Sequence, residues 1–119
     1  MNQPLRTGLS LLLLVLAVSA ASQLWRGWRD DRLGAQVAAN AKPGDIEMIS
    51  SVTCVYCTKA RAWFTAHQVS YSECMIEHDA TCAKKFQALA SRATPTLLVR
   101  GQVQIGFDAQ RVAQALTQR

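Results

Sequence analysis

Cys54-Val55-Tyr56-Cys57 is the stretch on which the fold turns. Upstream, Ile46-Glu47-Met48-Ile49-Ser50 alternates as a half-buried strand does. Downstream, Thr58 to His67 reads as a helix. The two thiols therefore sit at a seam between a strand end and a helix start. The first amide N–H groups of a helix have no partner within it, and the macrodipole adds partial positive charge there. A thiolate on Cys54, at or near the N-cap, accepts those N–H groups, and its pKa falls below that of free cysteine. Cys57, about one turn on, is close enough to close a small disulfide ring. The residues define a dithiol/disulfide couple, with an inert disulfide as the bland alternative.

The chain of 119 residues has room for one compact domain. Its net charge is +5, from 13 basic and 8 acidic residues. Part of that excess flanks the apolar N-terminal run, at Arg6, Arg26, Arg29 and Arg32. No Lys/Arg run interleaved with aromatics follows, so nucleic-acid binding is not expected. Four cysteines are an even number and suit an oxidising compartment.

Leu9–Ala21 is an unbroken run of apolar and small residues behind a short polar start with one arginine. This is the pattern of a signal peptide, with an A-x-A-like site at Val18-Ser19-Ala20. The rival reading is an uncleaved anchor. Leu5–Trp25 approaches the length that crosses a bilayer, and Trp25, Trp28, Arg26 and Arg29 suit an interface. Residues 1–25 are thus a signal peptide or membrane anchor, residues 26–43 a linker, and residues 44–119 the folded domain. The segment resembles an export signal, so the domain is expected outside the cytoplasm, exported or tethered to the membrane.

Pro43-Gly44-Asp45 opens the domain. Val69–Ile76 reads as a second strand, and Asp79 as the N-cap of a helix over Ala80–Ala90. Thr96–Val99 is a short apolar strand, and Arg100-Gly101-Gln102 turns into Val103–Ile105. Asp108 caps a last helix, Ala109–Thr117. The order is β-α-β-α-β-β-α. Trp63, Phe64 and Phe86 have core spacing, and Phe107 is placed to line a groove. Lys59 and Arg61 read as a solvated helix face or as holders of an anion, and His67 as facing solvent or the helix dipole.

Taken together, these residues resemble the glutaredoxin branch of the thioredoxin superfamily over about Glu47 to Leu116. Three landmarks carry the resemblance: Cys54-Val55-Tyr56-Cys57, Thr94-Pro95-Thr96, and Gly106-Phe107-Asp108, in that order. The resemblance implies a thioredoxin-like α/β fold, a mixed four-stranded sheet flanked by about three helices. It implies a cis peptide at Pro95, facing the thiol pair, and a Thr94 main chain that pairs with substrate. Tyr56 matches the tyrosine of the family's C-P-Y-C, and Asp108 the aspartate that meets the γ-glutamyl end of glutathione. Departures stand beside these matches. Ser51 takes the place of a family lysine, Val55 that of a proline, and Ile105-Gly106 that of a Gly-Gly pair.

The implied activity is thiol–disulfide exchange, with Cys54 attacking and Cys57 resolving. Its partners are disulfide-containing proteins or glutathione; no tightly bound cofactor is implied, glutathione being a co-substrate. The spacing C-x2-C-x16-C-x7-C leaves a second class open, a metal-binding or electron-carrying module partnering a membrane complex. Its last gap does not fit a zinc ribbon. In an exported protein, Cys74 and Cys82 are expected to form a structural disulfide across the strand-to-helix connection.

Overall fold

The computed structural model describes residues 3–118. Its elements are α1 (Gln3–Asn40), β1 (Ile46–Ser50), α2 (Val55–Ala66), β2 (Ser72–Met75), α3 (Ala80–Ala88), β3 (Thr96–Val99), β4 (Gln102–Ile105) and α4 (Ala109–Thr117). The chain divides into two compact units, one ending at Arg32 and the other beginning at Leu33.

The first unit is helical. Its leucine run is exposed, with Leu11 at 65% and Leu14 at 62%. By length and composition α1 is sufficient to cross a membrane. The guanidinium of Arg29 lies 5.1 Å from the Trp25 ring centroid, and that of Arg32 lies 4.5 Å from Trp28. Both pairs are spaced i, i+4, so each cation covers an aromatic face one turn away.

The second unit is built on a four-stranded sheet of order β2-β1-β3-β4. β1 and β2 run parallel, while β3 is antiparallel to both β1 and β4. Alternation along the central strands sorts the side chains. Ile46 and Met48 pair with Val99 and Leu97 on one face. There they meet Ala60 and Phe64 of α2 and Val112 and Leu116 of α4 in one buried cluster. Ile49 and Cys74 pair on the other face, where Cys82 of α3 is bonded to Cys74. Lys85 of α3 reaches back over that face to the Glu47 carboxylate, at 2.8 Å. The sheet is covered on both faces, as a parallel β-α-β unit requires.

Residues 26–43, expected as a linker, are helical to Asn40. Val37 is 0% exposed and belongs to the core cluster, with Leu33 and Ala38 packed against it. Alanine is the strongest helix former, and the apolar residues Leu33 and Val37 are spaced to share a helix face. The compact unit therefore starts earlier than Pro43. β2 is also shorter than expected, because Val69 leaves the strand and closes the end of α2 through its N–H to Phe64 O, 2.9 Å.

Candidate functional site: the C-x-x-C turn and its groove

Cys54 is the N-cap of α2, with extended backbone at φ −87° and ψ 106°. Its sulfur accepts the N–H of Cys57 at 3.0 Å. The sequence places a cap there because the strand ends at Ser50 and a three-residue turn, closed by Cys54 N–H to Ser51 O at 3.2 Å, delivers residue 54 to the helix start. The pair is oxidised, with Cα atoms 5.2 Å apart. Cys57 is fully buried while Cys54 is half-buried. Of the two sulfurs, the one that accepts a free N–H of the helix start also belongs to the less buried cysteine. That is the arrangement in which a thiolate is both stabilised and reachable.

Beside the pair lies a cavity of about 390 Å³ lined by Tyr56, Lys59, Thr94, Pro95, Ile105, Gly106 and Phe107, among others. The Thr94–Pro95 peptide is cis, the form the resemblance implies. The Thr94 main chain has no hydrogen-bond partner among the described residues. Gly106 sits at φ +80°, left-handed backbone that only glycine takes without strain, and its N–H bonds Pro95 O at 2.8 Å. That bond joins the two loops that wall the cavity. Phe107 contributes to the cavity and also packs on Phe64 and Trp63, at 5.2 and 5.4 Å between centroids.

Tyr56, Thr94 and Pro95 thus share one groove. Asp108 is not among its lining residues. Its carboxylate accepts Gln110 N–H at 2.9 Å and Arg111 N–H at 3.2 Å, as an N-cap does. Lys59 is at the groove with its ammonium 5.5 Å from the Tyr56 ring centroid. Arg61 is not; it donates to Glu73 from its Nε at 2.9 Å. The Arg61 guanidinium in turn holds the Glu73 carboxyl below its ordinary value of 4.5. His67 neither faces solvent freely nor approaches the thiols. It is half-buried, 4.5 Å from the Trp63 ring centroid, and stands against Gly34 of α1.

Sequence reasoning missed Glu77. Ser51 Oγ donates to its carboxylate, and Val52 N–H donates to Oε2 at 3.3 Å. The Ser51 hydroxyl is the main reason its carboxyl lies below the ordinary 4.5. No local signal pairs residues this far apart in sequence. Only the parallel pairing of β1 with β2 brings them together. Cys74 and Cys82 are bonded to each other, Cα atoms 6.0 Å apart, on the α3 side of the sheet.

Sheet order, a helix opened by the first cysteine of a C-x-x-C, and a cis-proline ahead of the third strand together are a thioredoxin-like fold. A point variant of the thioredoxin-like protein BC3987 is 26% identical, with TM-score 0.56, over 61% of this chain and 95% of that one. Within this class the placement is narrower: residues 46–104 match the family model Glutaredoxin, so the chain carries a glutaredoxin domain over that span. The glutaredoxin of Archaeoglobus fulgidus shares the fold at TM-score 0.51 and 12% identity, over 62% of this chain and 87% of that one. A buckwheat glutaredoxin–glutathione complex shares it at 0.50 and 17%, over 75% and 92%. Among curated proteins, no sequence matches the chain.

Proposed function

We propose that the chain is a thiol–disulfide oxidoreductase that works through Cys54 and Cys57, at or beyond a membrane to which its apolar N-terminal helix directs it. The observation that carries this reading is the Cys57 N–H held 3.0 Å from the half-buried Cys54 sulfur. A thiolate there keeps that donor and the N-terminal end of the dipole, so it is stabilised relative to the thiol. In the reducing direction the Cys54 thiolate attacks one sulfur of a substrate disulfide. A mixed disulfide forms and one substrate thiolate leaves. Cys57, once deprotonated, attacks Cys54 Sγ. The second substrate thiolate leaves, and the Cys54–Cys57 disulfide remains. Two electrons pass from the dithiol to the substrate, and an external thiol restores the pair.

The groove of Tyr56, Thr94, Pro95, Ile105 and Phe107 supports a role in holding the segment around the substrate disulfide. The unpartnered Thr94 main chain would donate one hydrogen bond to an extended peptide backbone through its N–H and accept one through its carbonyl. Glutathione, which occupies the buckwheat protein, is the small-molecule candidate for the same groove. Asp108 is the residue offered to its γ-glutamyl end, through the carboxylate oxygen that does not cap α4. Cys74–Cys82 is assigned a structural role.

The test is reduction of a small mixed disulfide in parallel glutathione-coupled and thioredoxin-reductase-coupled assays. Replacement Cys54→Ser should abolish turnover in whichever assay supports it, and Cys57→Ser should trap the mixed disulfide as an adduct visible by mass. Full-rate turnover by Cys54→Ser would exclude the assignment.

A further inference from the structure

We infer that Glu77 is a positioning residue for Cys54, and that the Cys74–Cys82 disulfide holds Glu77 where it can do this. The inference rests on Cys54 being the attacking thiol.

The parallel pair β1–β2 ends in register, Ser50 beside Met75. Two loops leave from that edge. One is the turn Ser51-Val52-Thr53 that delivers Cys54 to the start of α2. The other, Ile76 to Asp79, leads to α3. They are tied at their base by Ile76 N–H to Ser50 O, 3.0 Å. They are tied again higher up, where the Glu77 carboxylate accepts both the Ser51 hydroxyl and the Val52 N–H. One carboxylate therefore takes two donors from the turn that carries the thiol. Besides its own closing bond from Cys54 N–H to Ser51 O, the turn is lightly held, since Val52 and Thr53 are exposed.

The Glu77 loop is itself braced. Cys74 before it and Cys82 after it are bonded. Within it, Met75 O accepts His78 N–H at 3.2 Å and Asp79 N–H at 3.1 Å. The carboxylate is thus presented by a loop fixed at both feet. The bond from Cys57 N–H to Cys54 Sγ weakens steeply with distance and angle, so the set of the turn decides how much of the helix terminus the sulfur feels. Glu77 acts in two opposed ways. Its hydrogen bonds hold the turn and favour the thiolate; its negative charge disfavours it. A glutamine separates the two, because it keeps an acceptor and loses the charge.

The experiment uses the full chain with Cys57→Ser, oxidised so that Cys74–Cys82 is intact and Cys54 is the lone thiol. The rate of Cys54 alkylation is followed against pH. Adding Glu77→Ala should raise the midpoint and slow alkylation several-fold at neutral pH. Adding Glu77→Gln should leave the midpoint at or below that of the parent. Cys74→Ser with Cys82→Ser should reproduce the Glu77→Ala profile, and joining the two changes should add nothing. A parent-like profile for Glu77→Ala overturns the inference. So does a Glu77→Gln profile equal to that of Glu77→Ala, which would leave no separate part for the acceptor that glutamine keeps, and so does full additivity of the Glu77 and cysteine changes. If the parent's Cys54 itself titrates like an ordinary thiol, the oxidoreductase reading falls instead.

Discussion

At Gly34 the absence of a side chain is what lets α1 approach the end of α2. A Cβ there would run into Nδ1, Cγ and Cε1 of His67. Relieving this contact requires the whole His67 ring to change rotamer and leave its packing on Trp63. Gly34→Ala gains up to about 1 kcal/mol of helix propensity. It loses about 1–3 kcal/mol to overpacking. The net expectation is a loss of about 1 kcal/mol in denaturant unfolding, removed when His67→Ala is added. Residues whose partners lie within one helical turn were legible from the sequence alone: Asp79 and Asp108 cap the helices they precede, and Cys54 caps α2. Those whose partners lie far along the chain were not. His67 read as facing solvent or the helix dipole, with nothing to place it against Gly34 of α1, and Glu77 carried no signal. Arg100 read as a plain turn residue, yet its guanidinium donates to Leu116 O, to Asn40 O at 3.3 Å and to Asp45 at 3.2 Å. It gathers the carbonyl ends of α1 and α4 at one point. Arg100→Ala should therefore lower the melting temperature by several degrees while leaving Cys54 alkylation unchanged.

Between elements, the tie from α2 to the edge strand β2 is the Arg61–Glu73 pair. Glu73 titrates below its ordinary 4.5 because Arg61 donates to it. A carboxylate with a depressed folded pKa contributes stability that is fully present above its unfolded value. That contribution is lost as pH falls through the folded value. Stability measured by denaturant unfolding should thus decline from about pH 5 downward, and Glu73→Gln should flatten that part of the decline. The connection from β2 to α3 is covalent. Opening the Cys74–Cys82 ring by Cys74→Ser and Cys82→Ser should cost about 2.5 kcal/mol on a chain-entropy estimate for so short a loop. Element types were readable throughout, since strand alternation and helix caps are local. The end of α1 was not. Its alanines and polar residues look like a tether, and only the cluster shared with α2, α4 and the sheet explains why Val37 is buried.

For the molecule as a whole, the thioredoxin-like architecture followed from three landmarks in order, because that order fixes which loops meet around the cysteine pair. The N-terminal segment, read from sequence as a signal peptide or membrane anchor, is a long apolar helix, a form that serves either role. The exported placement proposed for the glutaredoxin domain predicts that an impermeant thiol reagent, applied to intact cells after mild reduction, labels Cys54. Protection until the cells are lysed would reverse the orientation. Four half-cystines allow three pairings. Here the two bonds follow one another along the chain, 54 with 57 and then 74 with 82, and neither ring encloses the other. A polypeptide threading outward from its amino end can seal the first ring before the second pair has emerged. Under the export proposed above, oxidation can thus keep pace with translocation, and no native linkage waits for a distant sulfur or has to be undone to let the next one close.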